Sequence, residues 1–143
     1  MSARSKARKR ALDVLFEADS RGVPIPSVLA EHVRRRRDEG SPELNEYTVA
    51  LVEGVSTNQA TIDDGIERSA VGWSLDRMPD VDRAIARVAA FEILFVEEVP
   101  DAVAISEAVD LATDLSTAES PRFIAGLLHA ISAEKSGGSV SSE

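Results

Sequence analysis

The sequence predicts an all-α protein of about seven helices, and three observations carry that expectation. Its six prolines and eight glycines fall mostly between segments of helical apolar periodicity. Those segments are long enough for several turns each. Runs that alternate apolar and polar residues with period two, the mark of a half-buried strand, are scarce. A chain of 143 residues, 43% of them apolar, can bury one sizeable core, and two full domains are not expected at this length.

The first helix runs from Ala3 to about Asp19, where Ala11, Leu15 and Ala18 recur at four and three with Leu12 and Phe16 beside them. Gly22, Pro24 and Pro26 break the chain. Ser27 can cap a second helix whose stripe is Val28, Leu29, His32 and Val33, followed by the run Arg34 to Arg37 and a stop at Gly40. Ser41, Pro42 and Glu43 read as a cap, a first-turn proline and a first-turn acid, opening a third helix with Leu44, Tyr47, Leu51 and Val55 inward.

A fourth helix spans about Thr57 to Ala70 with Ile62 and Ile66 inward, and Trp73 to Pro79 is a connector. From Val81 to Val96 twelve of sixteen residues are apolar, too many for one buried stripe, so this is the expected central helix, with Phe91 and Phe95 in the core. Ile105, Ala108, Ala112 and Leu115 mark the sixth helix. Ser120-Pro121 opens the seventh, which carries Phe123, Ile124, Leu127, Leu128 and Ile131. Residues 1–135 form the expected helical domain, and 136–143, rich in Gly and Ser, the expected disordered tail.

The formal net charge of −9 conceals an uneven distribution. Residues 1–37 hold ten of the sixteen Lys and Arg against four acids, a balance of +6, which leaves −15 on residues 38–143. Such asymmetry suggests a basic element for nucleic acid or another anionic surface, mounted on an acidic body that repels one. With no Cys there is no disulfide framework, no thiolate nucleophile and no Cys-ligated zinc. No signal-peptide core and no 18-residue apolar run occur, so a cytoplasmic protein without a membrane partner is expected.

Enzyme signatures are missing. The sequence has no phosphate-binding Gly loop, GxGxxG, GxSxG or HExxH. His32 and His129 stand apart, and the adjacent acids Asp63-Asp64 and Glu97-Glu98 point about 100° apart on a helix. No catalytic residue, metal or cofactor is expected.

The sharper signal is the N-terminal arm, where Arg4, Lys6, Arg8, Lys9 and Arg10 occur within seven residues. A polyanion would relieve their mutual repulsion, with counterion release driving association. On charge alone the arm reads equally well as a solubilising extension. The run Arg34 to Arg37 spreads round a helix and reads as a solvated face. Phe123, next to Arg122 in the first turn of the last helix, is either a core ring or a half-exposed platform for an unpaired base.

These residues carry a family resemblance. The segments WSLDRMPDVDRAIARVAAFEIL, EEVPDAVAISEAVDLATDLS and SPRFIAGLLHAI, with the opening SKARKRALDVLFEAD, resemble the NusB family of transcription antitermination factors over residues 4 to about 133. The resemblance implies two packed helical bundles that bind boxA-type single-stranded RNA of nascent ribosomal RNA transcripts together with NusE, a small-subunit ribosomal protein, within the transcription elongation complex. It places RNA contacts at Arg4, Lys6, Arg8, Lys9, Arg10, Glu119, Arg122 and Phe123, and NusE contacts at Phe16 and Asp82. It also covers Arg87, Glu92 and Glu107, read as structural because charges in a mostly apolar helix need partners.

Two positions depart from the family pattern. Ala125 stands where the family has Asn, and Thr113 where it has Lys. The alternatives are a protein-interaction module or homodimer with little RNA binding of its own, and an RNA methyltransferase, since NusB-like domains also precede such enzymes. The second is not expected, because these 143 residues contain no cofactor-binding signature.

Overall fold

The computed structural model describes residues 2–70 and 72–141, with side chains as far as residue 137. Among the described residues there are seven α-helices and no strand: α1 (Ala3–Arg21), α2 (Ile25–Glu39), α3 (Glu46–Thr57), α4 (Gln59–Ser69), α5 (Asp80–Phe95), α6 (Asp101–Leu115) and α7 (Ser120–Ser141). A single 3-10 turn, Leu75–Arg77, interrupts the connector before α5.

Local chemistry accounts for the helix ends. The Ser2 hydroxyl accepts from the Ser5 amide and opens α1. Gly22 and Gly40 close α1 and α2 in the left-handed region, with φ of 66° and 69°, where a side chain would be strained.

Two expected starts move. Ser27 does not cap α2; the helix begins at Ile25 behind the extended Pro24, and Pro26 occupies the first turn, where its missing N–H costs nothing. The Ser41-Pro42-Glu43 stretch does not open α3, because the Ser41 amide donates back to Arg36 and completes the stop of α2. Asn45 opens α3 instead, its side-chain oxygen accepting from the Tyr47 amide at 2.7 Å. Helix α7 runs across the start of the Gly/Ser-rich tail as far as Ser141; Ser142 and Glu143 lie outside the described residues.

Helices α1, α2 and α3 pack on one another, and α4, α6 and α7 gather round α5. As its composition demanded, α5 is central: it packs against α1, α3, α4, α6 and α7, and every residue from Ala84 to Ala90 is buried. The core joins both groups through Val14, Leu51, Ile62, Ile85, Ile124 and Leu128, each essentially inaccessible. A buried cation of α5 is anchored there. Arg87 donates to both oxygens of Asp63 at 2.9 and 3.0 Å and reaches Asp19 at 3.3 Å, tying α5 to α4 and α1. Burial opposes its charge, but the hydrogen bonds and field of Asp63 more than offset this and hold its pKa above the ordinary arginine value.

Phe95 departs from the core expectation. It sits in the last turn of α5 and is 43% exposed, while Phe91 is half-buried and stacks against it at 5.6 Å. The Phe91 ring lies against the bare backbone of Gly54 on α3, where an added Cβ would come within 2.2 Å of the ring. Gly54 therefore sets how closely α3 approaches α5. The substitution Gly54→Ala should cost about 1–3 kcal/mol of stability in urea unfolding, the usual range for overpacking. Adding Phe91→Leu should recover part of that loss, as expected of residues in contact.

Candidate nucleic-acid interface

The first two turns of α1 sort their charges by helix face. Arg4 and Arg8 share the inward side, while Lys6, Lys9 and Arg10, at i, i+3 and i+4, share another. Arg8 is 4% exposed. Its Nε donates to both carboxylate oxygens of Glu92 at 2.9 and 3.0 Å, and Nη1 donates to Glu107 at 2.8 Å.

The Tyr47 hydroxyl donates to Glu92, which is itself 1% exposed, and the Ser5 hydroxyl donates to Glu107. Burial disfavours the Arg8 charge, but the hydrogen bond and charge of Glu92 prevail and raise its pKa. Burial first, then the bond to Glu92, raises the Tyr47 pKa, so the phenol stays a donor. One network thus joins α1, α3, α5 and α6.

This corrects the expectation that Arg8 is a free phosphate contact. Its donors are spent inside the protein, and withdrawing it would strand Glu92. The structural reading of Glu92, Glu107 and Arg87 agrees with their partners. Arg4 is intermediate in role: half-exposed, its guanidinium lies 4.3 Å over the Tyr47 ring and 3.1 Å from Glu98. Lys9 is partly exposed and Arg10 exposed, and they lie 3.5 and 4.0 Å from Asp13, contacts loose enough to exchange for a stronger anion. Lys6 is exposed.

The second half of the interface is an aromatic cleft at the start of α7. Trp73, 48% exposed, packs against half-buried Phe123 with ring centroids 5.9 Å apart and planes inclined at 51°. Pro79, Asp82, Thr117, Glu119 and Ser120 complete a cleft of about 130 Å³. Glu119 and Arg122 are exposed beside it. Phe123 combines the two alternatives: its half-buried ring packs against the core and leaves part of its surface to line the cleft. Trp73 lies in the connector before α5, and its signal in the sequence is a large aromatic in a segment with no apolar periodicity to bury it.

Asp82 also needs correcting as a partner-facing acid. It is 3% exposed, and the hydroxyls of Ser116 and Ser120 donate to its two oxygens at 2.5 and 2.9 Å. In the first turn of α5 it meets the positive end of that helix and fixes the α6–α7 junction, and hence the cleft floor. Phe16 is half-buried on α1 and partly available at the surface.

The arm and the cleft are joined by α6. Ser5 and Arg8 meet Glu107 near its middle, and Ser116 just past its end meets Asp82, a run of about 13 Å at helical rise. A depression of about 320 Å³ between α1 and α6 lies along this run, lined by Ser5, Arg8, Glu107, Asp110, Leu111, Thr113 and Asp114. Thr113 turns its hydroxyl back to the Val109 carbonyl. Half-buried Ala125 and exposed Arg122 lie on α7 nearby in sequence to Phe123.

Fold and surface together define an all-helical protein of two joined bundles that carries exposed cations beside the middle of α6 and, past its C-terminal end, a cleft lined by exposed Trp73 and half-buried Phe123. The chain belongs to the NusB family, whose model matches residues 5–133. It is 58% identical over 128 residues to the transcription antitermination protein NusB of Salinispora tropica, covering 90% of this chain and 93% of that protein. It is 56% identical over 135 residues to that of Acidothermus cellulolyticus, covering 94% and 90%.

Among solved structures it resembles NusB of T. maritima, with a TM-score of 0.81, 31% identity and coverage of 93% and 92%. It also resembles a chain from a crystal structure of the antitermination factors NusB and NusE in complex with dsRNA, with a TM-score of 0.77, 26% identity and coverage of 91% and 96%. No helix of the described residues is long and apolar enough to cross a membrane.

The buried network makes a direct prediction. Arg8→Ala leaves Glu92 buried without its cation and should cost about 3–5 kcal/mol in urea unfolding. Lys6→Ala, on the exposed side of the same helix, should change stability by no more than about 0.5 kcal/mol.

Proposed function

We propose that this protein is a non-enzymatic antitermination factor of the cytoplasm that grips boxA-type single-stranded RNA of nascent ribosomal RNA transcripts together with NusE, and so suppresses premature termination within the transcription elongation complex. The observation that carries the RNA reading is the Trp73–Phe123 pair, with Trp73 exposed and Phe123 half-buried at the cleft, next to exposed Arg122 in the chain. A base can stack on such a surface, and its Watson–Crick edge then faces polar groups at the cleft rim. Glu119 is an acceptor suited to a base amino group. Lys6, Lys9 and Arg10, with Arg4 in part, supply phosphate contacts, while Arg8 holds the arm that presents them.

The NusE half rests on the family and on the NusB–NusE–dsRNA complex that the fold resembles. Charge agrees with it: an acidic body suits a basic ribosomal protein, which in turn adds positive surface for RNA. Phe16 belongs to that contact, and Asp82 serves it only indirectly by shaping the junction behind the cleft. Asp110 and Asp114, between the arm and the cleft, repel a bare phosphate chain and favour a route that a basic partner helps to cover.

A homodimer or protein-interaction module is the second reading, favoured by the ion pairs of Arg4 with Glu98 and of Lys9 and Arg10 with Asp13, which partly neutralise the arm internally. Fluorescence anisotropy of labelled boxA-type and scrambled RNA, with and without NusE, separates the two. The antitermination reading expects tighter binding to the boxA-type sequence when NusE is present, and a loss of about 1–3 kcal/mol with Trp73→Ala or Phe123→Ala, the usual worth of a stacked base. Equal affinity for scrambled RNA, or a light-scattering dimer that excludes RNA, would overturn it.

A further inference from the structure

A groove between α2 and α3 has no place in the RNA or NusE reading. Ile25, Leu29, Val33, Val49 and Val52 line an apolar trough of about 580 Å³. It continues past Val33 and Val49 into a second stretch of about 430 Å³ that reaches Leu44 and Gly40. Val33 stays 37% exposed although it lies on the apolar stripe of α2. Helix α2 is therefore covered on one side by α1 and α3 and leaves a second apolar strip open.

The rim explains what the arginine run is for. Arg34 and Arg37 are three residues apart, so they share the groove side of α2 and both line the trough; both are exposed, and neither makes an ion pair among the described residues. Arg36 donates to the Pro42 carbonyl and Arg35 points elsewhere round the helix. The opposite wall carries Glu53, and the far end Glu43. The trough thus has a basic wall, an apolar floor and a minor acidic wall.

We propose that this groove docks an acidic amphipathic helix from another protein. Two walls over an apolar floor match a helix that presents leucine-type side chains at i, i+3, i+4 and i+7. Carboxylates along one flank of that helix meet Arg34 and Arg37, and a single basic residue on the other meets Glu53. A nucleic acid fits poorly, because no aromatic residue lines the trough to stack a base, and Glu53 and Glu43 repel phosphates. On a chain of net charge −9, two unpaired arginines at a groove rim are a local reversal of sign that an acidic partner needs.

The test uses the full-length protein and a fluorescein-labelled synthetic helix about as long as α2, with leucines at the spacing above and glutamates on the flank. Its controls are the same peptide with lysines replacing the glutamates and one broken by a central proline. Saturable anisotropy is expected for the glutamate peptide only, with methyl NMR shifts confined to Leu29, Val33, Val49 and Val52. Arg34→Glu with Arg37→Glu, on exposed positions that leave the fold intact, should weaken binding about tenfold or more.

Lack of saturation, equal binding of the lysine peptide, or shifts elsewhere would overturn the proposal. So would groove shifts produced by an RNA oligonucleotide and lost in the double variant, or concentration-dependent groove shifts in the protein alone, which indicate a second copy as occupant.

Discussion

The buried pairing of Arg8 with Glu92 is the constraint on which the rest of the molecule depends. A guanidinium and a carboxylate removed from water are costly unless each finds several partners, and here both do: Glu107 takes a second Arg8 donor, and the Tyr47 hydroxyl satisfies Glu92. Because those groups come from α1, α5, α6 and α3, the pair can form only when the two bundles are docked. It therefore specifies the arrangement as much as it stabilises it. The same pairing holds the first turns of α1, whose remaining cations would otherwise repel one another, against the side of α6.

From that anchor the charge distribution becomes intelligible. A balance of +6 in the first 37 residues is not one patch. Arg8 is internal, Arg21 joins Glu17 and Glu31 at 2.7 and 3.0 Å, and the hydrogen bond from His32, followed by that from Arg21, holds the Glu17 carboxyl below its ordinary pKa. What remains for partners is divided between two places, the outer face of α1 and the groove wall of α2. The acidic remainder is divided as well. Asp63, Asp82 and Glu92 hold helices together, while Glu119, Asp110 and Asp114 face solvent near the proposed RNA path.

Much of the fold was legible because helices announce themselves by periodicity and by Gly and Pro punctuation. The apolar density from Val81 to Val96 marked the central helix, and the stripes of α1, α4, α6 and α7 point inward except at their ends, where Leu115 is exposed and Phe123 half-buried. The misplaced starts of α2 and α3 share a cause: Ser27 and Ser41 are good capping residues, but a cap is decided by which amide is left free, and the stop at Gly40 had already engaged Ser41. The site was less legible. A run of five cations does not reveal which one turns inward, since that depends on Glu92 lying 84 positions away. Asp82 looked like a surface acid for the same reason, its partners Ser116 and Ser120 being distant in sequence. Trp73 lay in a segment with no period, where a sequence pattern gives no direction to a side chain.

The central claim, that Arg8 is spent inside the protein while its exposed neighbours meet RNA, is tested most directly by the salt dependence of RNA binding in the presence of NusE. The double variant Arg8→Met with Glu92→Met removes the buried pair without leaving one charge stranded. Provided its circular dichroism matches the parent, the slope of log K against log salt should be unchanged, whereas Lys6→Ala should flatten that slope by about 0.7, the share of one phosphate on a single strand. Flattening of the same size in the double variant would contradict the claim.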